Sequence, residues 1–165
     1  METNSLLEGL KILLQKEIEE FQRFSILEKS LQEAILSRNW RPMTEILRKL
    51  RISADTVMKI EENREKVYKK LREVLDSTPE ETFYDVCLRF SKEERDPLLD
   101  LYRKLRAAVS EVQGLTGCID VYCTSSLSTL DKLFEQFVPA GKHKSYSRKG
   151  TMNKPSQPLL VNHAY

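Results

Sequence analysis

The chain has 165 residues, 27 of them Lys or Arg and 25 Asp or Glu, for a formal net charge of +2, with 40% hydrophobic residues. That length suits one domain with a tail, and the richness in Leu, Glu, Lys and Arg is that of a helical or coiled-coil protein. The near balance of charge argues against a nucleic-acid-binding body. No apolar run approaches the ~20 residues of a bilayer span, and Cys87, Cys118 and Cys123 share no CxxC spacing, so they read as reduced, mostly buried thiols and not as a metal site.

From Ser5-Leu-Leu-Glu8, which has the form of a capping box, apolar residues recur at Leu6, Leu10, Leu14, Ile18, Phe21, Phe24, Leu27, Leu31 and Ile35. Each step is three or four residues, so the spacing predicts a helix to about Arg38, roughly 50 Å long. Glu8 and Lys11 interrupt the leucines of its first turns, which makes the segment a helix face and not a signal peptide. Asn39 and Pro42 mark a tight break. A second helix follows on Met43, Ile46, Leu47, Leu50, Ala54, Val57, Ile60, Val67, Leu71 and Val74, its stripe interrupted at Glu61-Glu-Asn-Arg64. The short connection folds the two back as an antiparallel hairpin.

Thr78-Pro-Glu-Glu81 has the form of a second capping box and predicts a short helix carrying Phe83, Val86, Cys87 and Phe90. Ser91-Lys-Glu-Glu94 can cap a further turn, and Asp96-Pro97 predicts the start of the last long helix, from Pro97 to Val138. Its seam is Leu98, Leu101, Leu105, Ala108, Val112, Leu115, Ile119, Tyr122, Leu133 and Phe137, with a second apolar row at Tyr102, Val109, Cys123, Leu127, Leu130 and Phe134. Gly114, Gly117 and the polar Thr124-Ser-Ser126 and Ser128-Thr129 weaken this helix locally. The fold expected is all-α: a long antiparallel hairpin, a short helix and a long C-terminal helix in an elongated, coiled-coil-like four-helix bundle. Residues 1–138 form the helical domain, and residues 139–165 a flexible basic tail.

Neither GxGxxG, a P-loop, GxSxG nor HExxH occurs, and His143 and His163 both fall in the tail, where nothing would tune a general base. The carboxylates, Glu19–Glu20 and Glu61–Glu62 among them, alternate with Lys and Arg and read as solvated helix faces. No catalyst, cofactor or metal is expected. The tail carries Lys142, Lys144, Arg148, Lys149 and Lys154, no acid, and Tyr146. Without those bases the body has a slight acidic excess. Low hydrophobicity and no helical period make the tail disordered in the free chain. It reads either as a solubilising tail or as a linear docking motif around Tyr146.

These features resemble the FlgN family of flagellar export chaperones over nearly the full length. Leu6-Leu-Glu-Gly-Leu10 before a Glu-rich helix and Ile60-Glu-Glu-Asn-Arg64, similar to the family's Leu-Glu-x-x-Arg stretch, carry it in the first half. Val112-Gln-Gly-Leu115 and the Tyr146-Ser-Arg-Lys-Gly150 tail carry it in the second. Thr116 and Ile119 stand where the family usually has Asn.

The resemblance implies a cytosolic, non-enzymatic chaperone that holds the C-terminal helical segment of hook-associated (hook–filament junction) proteins, prevents their premature association and delivers them to the export gate of the flagellar type III apparatus. Client binding falls on Leu115, Ile119, Tyr122, Leu127, Leu130, Phe134 and Phe137, and gate docking on Tyr146 and Gly150. A homodimer could use the second apolar row when the protein is free. The alternatives are a coiled-coil scaffold acting by oligomerisation and an anionic-surface or nucleic-acid binder acting through the tail.

Overall fold

The computed structural model describes residues 2–78 and 80–137. Among them are four helices and no strand: α1 (Glu2–Leu36), α2 (Met43–Val74), α3 (Phe83–Cys87) and α4 (Lys92–Phe137). The chain divides into two compact units, one of residues 1–118 and one beginning at Ile119 within α4. The tail expected from Pro139 lies outside the described residues.

α1 and α2 pair along their length as an antiparallel hairpin. The pairings Glu17–Arg64 and Glu20–Ser53 run in opposite directions along the two helices. α4 runs parallel to α1, because its contacts advance with α1: Ser25 meets Glu111 and Glu28 meets Thr116. One apolar cluster joins all four helices through Leu7, Leu10, Leu14 and Ile18, Leu71, Cys87, and Leu98 and Leu105. Farther along the hairpin, Leu31, Ala34, Ile35, Leu50 and Val57 are buried as well.

The helix bodies follow the apolar period, while the ends differ from what the capping signatures suggested. α1 begins at Glu2, so Ser5 lies inside it, and Glu8 accepts from Lys11 at 2.8 Å instead of reaching back to a cap. Buried Leu7, not half-buried Leu6, centres its inward face. The Thr78–Glu81 signature closes a turn: Glu81 accepts from the Thr78 amide and the Ser77 hydroxyl. The capping box of α3 is Thr82 with Asp85, each accepting from the other's backbone amide. α4 starts one turn before Pro97, with the Ser91 carbonyl accepting from the Glu94 and Arg95 amides. Pro97, the sixth residue of α4, supplies no amide to the Glu93 carbonyl one turn earlier. α4 is then continuous through Gly114, Gly117 and the polar stretch to Phe137.

Both long helices of the hairpin end in a Schellman motif. In α1 the Arg38 amide donates to Ile35 and the Asn39 amide to Ala34; in α2 the Asp76 amide donates to Glu73 and the Ser77 amide to Arg72. The residues in the left-handed position are Arg38 (φ 55°) and Asp76 (φ 51°), where glycine would be unstrained.

An aromatic group ties α2, α3 and α4 together. Phe83 stacks on Tyr102 with ring centroids 4.3 Å apart and lies 5.4 Å from Tyr68, while Tyr84 meets Tyr102 edge-on at 5.7 Å. Tyr102 is therefore used within the bundle, and Val109 packs on the core. The second apolar row of α4 is surplus only from Cys123 onward.

Leu71 is fully buried whereas Leu88 is 65% exposed. Leu71→Ala is expected to lower stability by about 3 kcal/mol and Leu88→Ala by no more than about 0.5 kcal/mol, read as the urea midpoint followed by circular dichroism.

Candidate functional site

The candidate residues are best taken from the interior outward. Extending the 3,4 alternation of Leu7, Leu10 and Leu14 along α1 reaches Glu17, Phe21, Phe24, Glu28, Leu31 and Ile35, so two carboxylates occupy core positions of the repeat. Glu17, Glu20 and Glu28 are 2%, 8% and 4% exposed, and Ser25 and Ser53 are buried beside them. These three glutamates are not the solvated face that the sequence suggested, although Glu19, Glu61 and Glu62 are exposed as expected.

Each buried carboxylate has partners of a different kind. Arg64 donates to Glu17 at 2.6 Å, which gives the Arg of the Ile60–Arg64 stretch a structural task. Ser53 donates to Glu20 at 2.6 Å, and Arg23 does so from the surface at 3.1 Å. Glu28 accepts through one oxygen from the Thr116 hydroxyl, and its other oxygen is buried with no hydrogen-bond donor among the described residues. Burial pushes the Glu17 and Glu28 carboxyls above their ordinary range, opposed by Arg64 at the first and by Thr116 at the second. A little closer to the surface, Lys29 and Ser25 both donate to Glu111 and hold its carboxyl low.

No group of three or more metal-ligating side chains occurs among the described residues. Cys87 is fully buried and burial pushes its thiol up to about 11, too high for a nucleophile. Cys118 and Cys123, in contrast with the buried thiols expected, are exposed.

The apolar candidates of α4 fall into two groups. Leu115 and Ile119 are half-buried. Tyr122, Leu127, Leu130 and Phe134 are exposed, at 44%, 62%, 49% and 63%. Leu133 (43%) belongs with them, and Val121 (68%) lies on the other side of the helix. At 3.6 residues per turn, Ile119, Tyr122, Leu127, Leu130, Leu133 and Phe134 share an arc of roughly 140°, so the seam and the second row merge there into one broad face. Of the side chains described after Ala108, none on α4 is buried. Phe137 closes the helix, but its side chain lies outside the described set, as do Tyr146 and Gly150.

Gly114 and Gly117 are not required by packing: a Cβ built on either meets no atom within 4 Å. No described helix is long and apolar enough to cross a membrane. A protein-family model described as FlgN protein matches residues 1–154. No curated protein and no solved structure matches the chain.

The Glu28 pair generates a pH-dependent expectation. Because its carboxyl titrates above 4.5 when folded, the native chain holds that proton more tightly than the unfolded chain. The contribution to stability is full below pH 4.5 and is lost as pH rises through the raised value. Glu28→Gln, which cannot ionise, is expected to flatten the pH dependence of the urea midpoint above pH 4.5.

Proposed function

The chain belongs to the FlgN family, and from that premise we propose that it holds the C-terminal helical segment of hook-associated proteins on the broad apolar face of α4 and delivers them to the flagellar export gate. Membership gives it the general character of a flagellar export chaperone, a class that works by binding and not by catalysis. The observation that carries the reading is the exposure of Tyr122, Leu127, Leu130, Leu133 and Phe134 on one side of a continuous helix.

A segment that assembles by helix packing outside the cell exposes an apolar stripe while inside it. A second helix laid along the α4 face covers that stripe, its anchors spaced three and four residues apart in the manner of helix-in-groove recognition. Leu115 and Ile119, half-buried already, are assigned to the client as well. Thr116 stands at a family Asn position and donates to Glu28, so in this chain a hydroxyl bonds between helices there. Gate docking is assigned to Tyr146 and Gly150, in the acid-free tail beyond the described residues, and the working division is residues 1–138 for holding and 139–165 for delivery.

Leu130→Glu and Phe134→Glu are each expected to weaken binding of a hook-associated protein's C-terminal segment at least tenfold by calorimetry, with helix content unchanged; unchanged affinity refutes the assignment. Tyr146→Ala is expected to leave client affinity intact and to weaken binding to the cytosolic domain of the gate. Loss of both together, or of neither, removes the division of tasks. A stable oligomer in light scattering that captures no client favours the scaffold reading.

A further inference from the structure

The turn between α1 and α2 gathers charge that neither the bundle nor the proposed client face uses. Between residues 38 and 51 stand Arg38, Arg41, Arg48, Lys49 and Arg51 against one acid, Glu45. That acid is already engaged, since Arg48 grips both its oxygens at 2.7 and 2.8 Å and Lys49 lies 3.8 Å away. Arg38, Arg41 and Arg51 are exposed and make no ion pair among the described residues. In their midst is Trp40, the only tryptophan of the chain, 63% exposed, with Leu36 (59%) before it and Leu47 (49%) after it.

Each of these choices works against the isolated fold. An exposed Trp and two exposed Leu forgo burial that would stabilise the bundle. Arg38 occupies a left-handed position that glycine would fill without strain. An indole with a polar N–H and a large apolar body prefers a boundary between water and hydrocarbon, and basic side chains beside it favour a surface dense in negative charge.

We propose that the turn of residues 37–42, with the first turns of α2, docks on an anionic lipid bilayer, Trp40 entering the headgroup layer and Arg38, Arg41 and Arg51 facing lipid phosphates. The shape of the element favours a bilayer over a protein partner. A tight turn joining two antiparallel helices is convex, so a rigid protein would need a preformed cavity for Trp40, whereas a lipid interface deforms around it. The acidic excess of the remaining helical body helps to orient the molecule with this end toward negative charge. Contact is peripheral, since no described helix is built to span the bilayer.

Because Trp40 is unique, its emission reads this turn in the full chain without a label. With phosphatidylcholine vesicles containing phosphatidylserine at low salt, its emission is expected to move to shorter wavelength and its quenching by acrylamide to fall. Phosphatidylcholine alone is expected to do neither, and 1 M salt, where the screening length is ~3 Å, to reverse both. Each lost base is expected to weaken partitioning about fivefold, so the double variant Arg38→Gly, Arg41→Ser loses about 25-fold at unchanged helix content; glycine at 38 suits the backbone there. Co-sedimentation with unchanged Trp40 emission would place the contact elsewhere on the chain and overturn the proposal. An equal shift on neutral vesicles, an equal shift with polyglutamate or RNA in place of vesicles, or full binding by the double variant would overturn it too.

Discussion

The structure depends on burying carboxylates in the middle of α1. A purely apolar 3,4 repeat packs nearly as well when one helix slides by a turn, because one leucine replaces another. Glu17, Glu20 and Glu28 remove that freedom. Sliding α2 along α1 by a turn separates Glu17 from Arg64 and Glu20 from Ser53, and a buried carboxylate stripped of its partner costs about 3–5 kcal/mol. The same reasoning sets α4 against α1 through Glu28 and Thr116, with Ser25 and Lys29 holding Glu111 nearby. The row thus trades stability for register, and the trade is least favourable at Glu28, whose second oxygen has no donor among the described residues.

Register in turn decides which part of α4 is spent on the bundle. Leu98, Leu105 and Ala108 are buried, Tyr102 joins the aromatic group, and after Ala108 the described side chains are at most half-buried. Where packing ends, the sequence also becomes a poorer helix former: Gly114 and Gly117 each cost about 1 kcal/mol relative to Ala, and Thr129 bonds back to the Ser125 carbonyl. Neither glycine is needed for close packing inside the chain, so local stiffness has been given up without gain to the isolated fold. A surface that accommodates a second helix tolerates such softness better than a core does.

Much of this was legible in the sequence, and the failures have specific causes. Apolar periodicity found all four helices and the hairpin, because a continuous 3,4 pattern admits little else. Ser5–Glu8 and Thr78–Glu81 misled because Ser/Thr-x-x-Glu matches a cap wherever it occurs, and only the chain's direction beyond it decides whether a helix starts there. The Schellman turns at Arg38 and Asp76 were invisible, since the residues that mark such turns are Gly and Asn. The buried glutamates were hidden by following apolar residues alone; keeping strict 3,4 phase from Leu7 would have landed on Glu17 and Glu28. The exposed face of α4 was visible as an excess of apolar positions, but its extent was not, because Tyr102 and Val109 look like surplus until Phe83 and the core are placed against them.

The energetics of that face bear on the proposed holding task, which must end in release. Tyr122, Leu127, Leu130, Leu133 and Phe134 are each close to half exposed, so covering them recovers on the order of 1 kcal/mol apiece, or roughly 5 kcal/mol before contributions from the rest of a client helix. Association costs several kcal/mol in lost freedom, and fixing the rotamers of these side chains adds to it. Those five side chains alone therefore fall short of the roughly −8 kcal/mol of micromolar binding, and a client must add contacts of its own. A stiffer face with more apolar area to cover would bind more tightly and let go more slowly. On the proposed reading, exposed side chains on a helix of indifferent propensity cover a client without making its departure the slow step.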